Sequence, residues 1–173
     1  PWLELSPPAT INPHARQAIL DADLVVVAPG LLYGSLAPAL LVRGVTRALA
    51  ETKAKKVYVC NLVTKPTQTD GFTVADFVDE IERFAGVSMD YVLYNNYRPP
   101  QELLDKYAHN GEYLVEWDEE ELKKKHYHAS GKHLIANGVR QHNKKADPLA
   151  ALRSLIRHDS DKIARELMRI YFS

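Results

Sequence analysis

Three polar clusters, each placed just after an apolar run, hold the residue types that could do chemistry. Gly30, Tyr33, Gly34 and Ser35 follow residues 24–28; Asn61 lies at the end of residues 56–62, with Thr64, Lys65, Thr67, Gln68 and Thr69 after it; Asn95, Asn96 and Arg98 follow residues 89–94. Neutral hydrogen-bonding groups with one or two cations suit a diphosphate, a ribose or a base better than they suit general acid–base work. Glycine at a strand-to-helix corner leaves backbone N–H groups clustered there, which favours an anion. Asn, Thr and Gly also make ordinary turns, and the residues alone leave both readings open.

Other constellations carry less. His126, His128 and His133 suggest a metal cluster, and on a strand His126 and His128 would share a face, but no flanking Asp or Cys completes a recognisable ligand spacing. A partly exposed pair on an edge strand is the plainer expectation. Glu119 to Glu121 followed by Lys123 to Lys125 fit a solvated helical face with paired charges. His158-Asp159 reads as a capping aspartate beside a locally packed histidine. No Ser, His and acid set, P-loop or full dinucleotide fingerprint is found, so nucleophilic catalysis has no support and no catalytic residue or metal ligand is assigned.

The elements that must position these clusters follow from periodicity. Val25, Val26 and Val27 are consecutive β-branched residues without polar alternation, as in a parallel strand buried on both faces. Asn12-Pro13 offers a cap and a first helical position for a helix through about residue 21, residues 35–53 are helical with a break at Gly44, and residues 56–62 form a second strand. Thr73 caps a helix through residue 84 with Asp76 three residues on, and residues 89–94 form a third strand. Residues 2–5 are a short strand, residues 100–107 a helix, Asp147-Pro148 opens a helix through about residue 157, and Asp159 or Ser160 caps a last one to about residue 171. Residues 137–146 form a surface loop. This alternation predicts one α/β domain over residues 1–173, a mostly parallel sheet in three layers with helices on both faces. Its carboxyl edge would then gather all three clusters.

Bulk composition sets limits. The 173 residues fit a single domain, and 46% hydrophobic with 25% charged residues is ordinary globular composition. Basic and acidic residues are 22 each, so nothing draws the chain to nucleic acid or to an anionic membrane. The one cysteine, Cys60, lies in an apolar segment; it excludes an intrachain disulfide and fits a reducing cytoplasm. No run approaches the about 18 uninterrupted apolar residues of a membrane span, and the chain is expected to be soluble and cytoplasmic. Its opening, Pro1-Trp2-Leu3-Glu4-Leu5, has neither initiator Met nor leader and reads as part of a longer protein.

Residues 23–45 resemble a segment of the CofD-like superfamily, which holds the 2-phospho-L-lactate transferases and the YvcK-type gluconeogenesis factors. Val57-Tyr58-Val59-Cys60-Asn61-Leu62 resembles the strand and loop that follow in that family, Gly71-Phe72-Thr73 with Asp76 its next helix start, residues 90–95 its strand ending in Asn, and Arg157-His158-Asp159 its Arg-His-Asp near the C-terminus. The resemblance implies the second half of a larger Rossmann-like domain whose glycine-rich nucleotide loop lies outside this chain. It also implies a nucleotide diphosphate ligand: guanosine diphosphate linked to lactyl phosphate in the transferases, a uridine diphosphate (UDP) sugar in the gluconeogenesis factors.

The departures from the family are specific. Where its loop reads Gly-Pro-Gly-Ser-Leu-Tyr-Thr-Ser, this chain has Ala28-Pro29-Gly30-Leu31-Leu32-Tyr33-Gly34-Ser35, and Lys65 replaces a common Gln. Two hydroxyls are lost, each worth about 1.5 to 3 kcal/mol when it bonds a charged group. On this resemblance the leading expectation is a regulatory protein that binds a nucleotide sugar. Gly30, Tyr33, Gly34 and Ser35 would hold phosphate, Asn61, Thr64 and Lys65 would flank it, and Asn95 with Arg157 would complete the shell. One alternative is a transferase of phosphorus-containing groups, using Mg2+ to move phospholactyl onto a deazaflavin; the other is a partner-binding module with a degenerate site. The expected partner is a nucleotide diphosphate or nucleotide sugar, with a homo-oligomer as a further expectation.

Overall fold

A computed structural model describes residues 2–136 and 156–173. Four strands, β1 (Leu24–Val27), β2 (Lys55–Val59), β3 (Tyr91–Asn95) and β4 (His128–Lys132), form one sheet in the order β1-β2-β3-β4 with every pairing parallel. Val26 stands opposite Val57, Tyr58 opposite Val92, and Leu93 opposite Ser130. Because side chains alternate along a strand, the sheet has two faces to cover. Tyr58, Val92 and Tyr94 join the core on one face, whereas Val57, Val59 and Leu93 pack on the other.

Helix α1 (Pro13–Asp21) is capped by Asn12, whose side chain accepts from His14 N, and has Pro13 in its first turn. After β1 come a π-helical turn (Leu32–Leu36), α2 (Ala37–Leu40) and α3 (Val45–Glu51). Gly44 breaks the helical run as expected: its φ is 97°, and a Cβ there would lie 2.8 Å from Ile11 Cγ2. Helix α4 (Val74–Ala85) starts at a reciprocal capping box, Thr73 N donating to Asp76 Oδ2 at 2.8 Å and Asp76 N to Thr73 Oγ1 at 3.3 Å. It buries Val74, Phe77, Val78, Ile81 and Phe84 against the first face. Helix α5 (Gln101–Ala108) and the one-turn α6 (Glu119–Leu122) lie between β3 and β4.

The second face is covered from the far end of the chain. Helix α7 (Ser160–Phe172) is capped by Asp159, which accepts from the N–H groups of Asp161 and Lys162, and it seats Ile163, Leu167 and Ile170 on Val57, Val59 and Leu93. Lys55 Nζ donates to Ile170 O at 2.8 Å and fastens its last turn to β2. The result is the expected three-layer α/β arrangement. No helix among the described residues is long and apolar enough to cross a membrane.

Several expectations change. Residues 2–5 are not a strand: Trp2 is exposed, Leu3 packs against the core without a ladder, and the only bridge nearby among the described residues is the parallel one between Thr10 and Arg43. Pro7 and Pro8 have no N–H for a ladder. Val26 is 37% exposed, since β1 is an edge strand among the described residues and α7 is centred over β2 and β3. The predicted loop 137–146 lies outside the described residues. So does the predicted helix 147–157, except for Ile156 and Arg157, which are not helical.

Candidate functional site

β1 ends at Val27, and the chain crosses Ala28-Pro29-Gly30 before winding. The N–H groups of Ser35 and Leu36 both donate to Leu31 O, at 2.8 and 3.1 Å. The amides of Leu32, Tyr33 and Gly34 therefore precede the first helical hydrogen bond, the position from which backbone N–H groups serve an anion. The sequence placed the helix start at Ser35, but winding begins at Leu32 and Ser35 lies inside it. Pro38 lacks the amide that an unbroken α-helix would direct to Gly34 O, and a wider π turn occupies this stretch. A Cβ at Gly34 would lie 2.6 Å from Leu31 Cδ2, the end of an exposed side chain that would have to swing aside.

Asn61 joins this corner to the next strand. Its Nδ2 donates to Gly30 O at 2.8 Å, and its Oδ1 accepts from the Tyr58 hydroxyl at 3.4 Å. One predicted site residue thus holds another in place. Tyr33 is directed elsewhere: its hydroxyl donates to Glu80 Oε2 on α4 at 3.2 Å, its ring meets Phe84 edge-on, and burial together with the Glu80 charge raises its pKa.

The rest of the second cluster forms a knot of its own. Buried Thr64 donates its N–H to Tyr113 O at 2.7 Å and accepts from Tyr113 N at its Oγ1. Lys65 N donates to Thr69 Oγ1, and Lys65 Nζ pairs with Glu112 at 2.5 Å, so its charge is already answered. Thr67 has a φ of 65°, and the buried Gln68 Oε1 has no partner. In the third cluster Asn95 is 6% exposed; its Nδ2 donates to Tyr97 O and its Oδ1 accepts from Leu134 N. Arg98 pairs with Glu116 and lies over Trp117.

The C-terminal segment closes the edge. Arg157 is exposed and its carbonyl accepts from Ala136 N at 2.9 Å, while Asp159 N donates to Leu134 O at 2.8 Å. His158 Nε2 lies 3.2 Å from Cys60 O, a reach across the fold that sequence reading missed, and burial lowers its pKa. A small apolar cluster of Leu62, Tyr107, Ile135 and Ile156 fills the space beyond β2 and β4. Gly30 and Asn61 are thus brought together, whereas Tyr33, Thr64, Lys65 and Asn95 are each engaged with other parts of the chain.

The three histidines separate. His126 precedes β4 and lies 2.7 Å from Glu82, His128 meets Tyr91 edge-on, and His133 stacks on Tyr97 with ring centroids 3.9 Å apart. The expectation that His126 and His128 share a strand face fails because the strand begins at His128. Among the described residues no group of three or more His, Cys, Asp or Glu could hold a metal ion. The Tyr97–His133 stack was also missed, although an aromatic just after Asn95-Asn96 is a visible signal. Cys60 is fully buried, and its thiol is pushed up to about 12 by desolvation, so it is not a thiolate at neutral pH. At the β1 corner the amides of Leu32, Tyr33 and Gly34 precede the first helical hydrogen bond.

Residues 3–135 match the model of the family described as 2-phospho-L-lactate transferase CofD. A protein of Thermotoga maritima, provisionally named as a gluconeogenesis factor, is 38% identical over 168 residues, covering 97% of this chain and 50% of its own length. The gluconeogenesis factor of Bacillus subtilis is 33% identical over 157 residues, covering 90% of this chain and 45% of its own. A solved UPF0052-family protein of Bacillus halodurans superposes with a TM-score of 0.79 at 28% identity, over 92% of this chain and 46% of that one. The chain spans about half the length of these relatives. On the extent of the family match and the identity to relatives across nearly its whole length, the chain belongs to the CofD family, with the gluconeogenesis factors among its relatives.

Proposed function

We propose that this chain contributes the phosphate-holding half of a nucleotide-sugar site, and that the whole protein acts by binding, as a regulator, rather than by turnover. The observation that carries the reading is the β1 corner. Amides of Leu32, Tyr33 and Gly34 stand ahead of the first helical hydrogen bond, on a loop braced from β2 by Asn61 at Gly30 O. Binding rather than catalysis is favoured by the side chains around it. Lys65 and Arg98 are paired with carboxylates, the thiol of Cys60 is buried, and His158 faces a backbone carbonyl. The likeness to gluconeogenesis factors supports a nucleotide sugar as the ligand.

The second reading is a phosphotransferase, favoured by the description of the matching family as a 2-phospho-L-lactate transferase. Such a reaction would rely on positioning and a divalent cation such as Mg2+. A thermal-shift titration of the full-length protein with UDP sugars and with guanosine diphosphate, each with and without magnesium, separates the two, because a ligand selective for the native state raises its melting temperature. A UDP-sugar response without turnover supports the regulator. A magnesium-dependent guanosine response with phospholactyl transfer overturns it.

A further inference from the structure

Just beyond the carboxyl ends of β3 and β4 two rings lie one on the other. Tyr97 stacks on His133 with centroids 3.9 Å apart and planes 19° from parallel. Buried Asn95 fixes the backbone beside both rings. Its Nδ2 donates to Tyr97 O at 2.7 Å, and its Oδ1 accepts at 3.2 Å from the N–H of Leu134, the residue after His133. Asn96 N adds a bond to Lys132 O at 3.0 Å, on the other side of His133. A buried amide is costly unless it is hydrogen-bonded, and both ends of this one are used to hold the two segments that carry the rings. Tyr97 is nevertheless 40% exposed with His133 against one of its faces. These backbone bonds already join the two segments without help from the rings, and the ring face left in the open is held in place before anything binds.

Position and charge select what that face takes. Ligands of open parallel sheets bind at the carboxyl edge. The β1 corner lies on the same edge, two to three strands away in the order β1-β2-β3-β4, or roughly 10 to 14 Å at the usual strand spacing. A nucleoside diphosphate can span that distance. Desolvation and the Lys162 charge hold the His133 imidazole below its ordinary pKa, so it is uncharged at neutral pH and the pair gives a phosphate no cation to bind. Two neutral stacked rings present a π face instead, and any nucleobase can stack on one whatever its hydrogen-bonding edge. We propose that Tyr97, backed by His133, is the platform on which the base of the nucleotide ligand stacks, with Asn95 as its positioning residue. The identity of the stacked ring rests on the nucleotide-sugar reading given above.

The test is isothermal titration of the full-length protein with UDP-glucose, uridine, guanosine and inorganic pyrophosphate, comparing the wild type with Tyr97→Ala and Tyr97→Phe. A thermal melt reports whether each variant is folded. Tyr97→Ala should weaken UDP-glucose and at least one nucleoside about tenfold and leave pyrophosphate unchanged. Tyr97→Phe keeps the ring face and drops only the hydroxyl, so it should bind as the wild type does. The platform is overturned if neither UDP-glucose nor a nucleoside responds to Tyr97→Ala, if pyrophosphate weakens equally, or if Tyr97→Phe loses as much as Tyr97→Ala. Uridine binding that depends on Tyr97, in a protein that takes no pyrophosphate, supports the platform and overturns the phosphate reading of the β1 corner instead.

Discussion

Asn61 does two things at once, holding the carbonyl of Gly30 and accepting from the buried Tyr58. Asn61→Ala removes both hydrogen bonds, and denaturant unfolding should show a loss of about 1 to 2 kcal/mol. Under the proposed function the same variant weakens nucleotide binding by about tenfold, because the corner's amides lose their brace. His158 gives a pH signature. Burial depresses its native pKa below the usual value of about 6.5, so the unfolded chain takes up the proton first as pH falls. The stability it contributes is full above that usual value and is lost as pH falls through the native one. His133 shifts in the same direction, chiefly through desolvation and also through Lys162. Comparing the urea midpoints of the wild type and His158→Gln from about pH 8 to about pH 5 isolates the share of His158, and the variant should have the flatter profile.

Among the elements, α4 depends on its first turn. Thr73→Ala breaks the capping box and should cost about 1 kcal/mol, read as a lower denaturant midpoint with an unchanged slope. Elements with a local signal were legible in the sequence: Asn12-Pro13 opened α1, Thr73 with Asp76 opened α4, Gly44 separated α2 from α3, and Asp159 capped α7. What depended on distant neighbours was not. Val26 looks like its buried neighbours until β1 is placed at an edge. The site divides in the same way. That three polar clusters end strands could be read from spacing; that Tyr33 meets Glu80, Thr64 meets Tyr113 and Lys65 meets Glu112, partners 47 to 49 residues away, could not.

For the whole molecule, the two faces of the sheet rest on different parts of the chain. α4 and the turns around it cover Tyr58, Val92 and Tyr94, while α7 alone brings Ile163, Leu167 and Ile170 to Val57, Val59 and Leu93. Ile170→Ala should therefore cost about 2 to 5 kcal/mol, measured by chemical denaturation, although Ile170 lies far from the proposed phosphate corner. The parallel strands lie side by side in the order in which they occur along the chain. During synthesis each strand emerging from the ribosome can add to the one made just before it, so the sheet grows in a single direction without waiting for a distant partner. Among the described residues, the hydrophobic side that α7 covers gains only Leu134 before α7 itself. It stays wet until the 13 residues of α7 emerge, making that interval the stage of biogenesis at which a nascent chain would most need a chaperone.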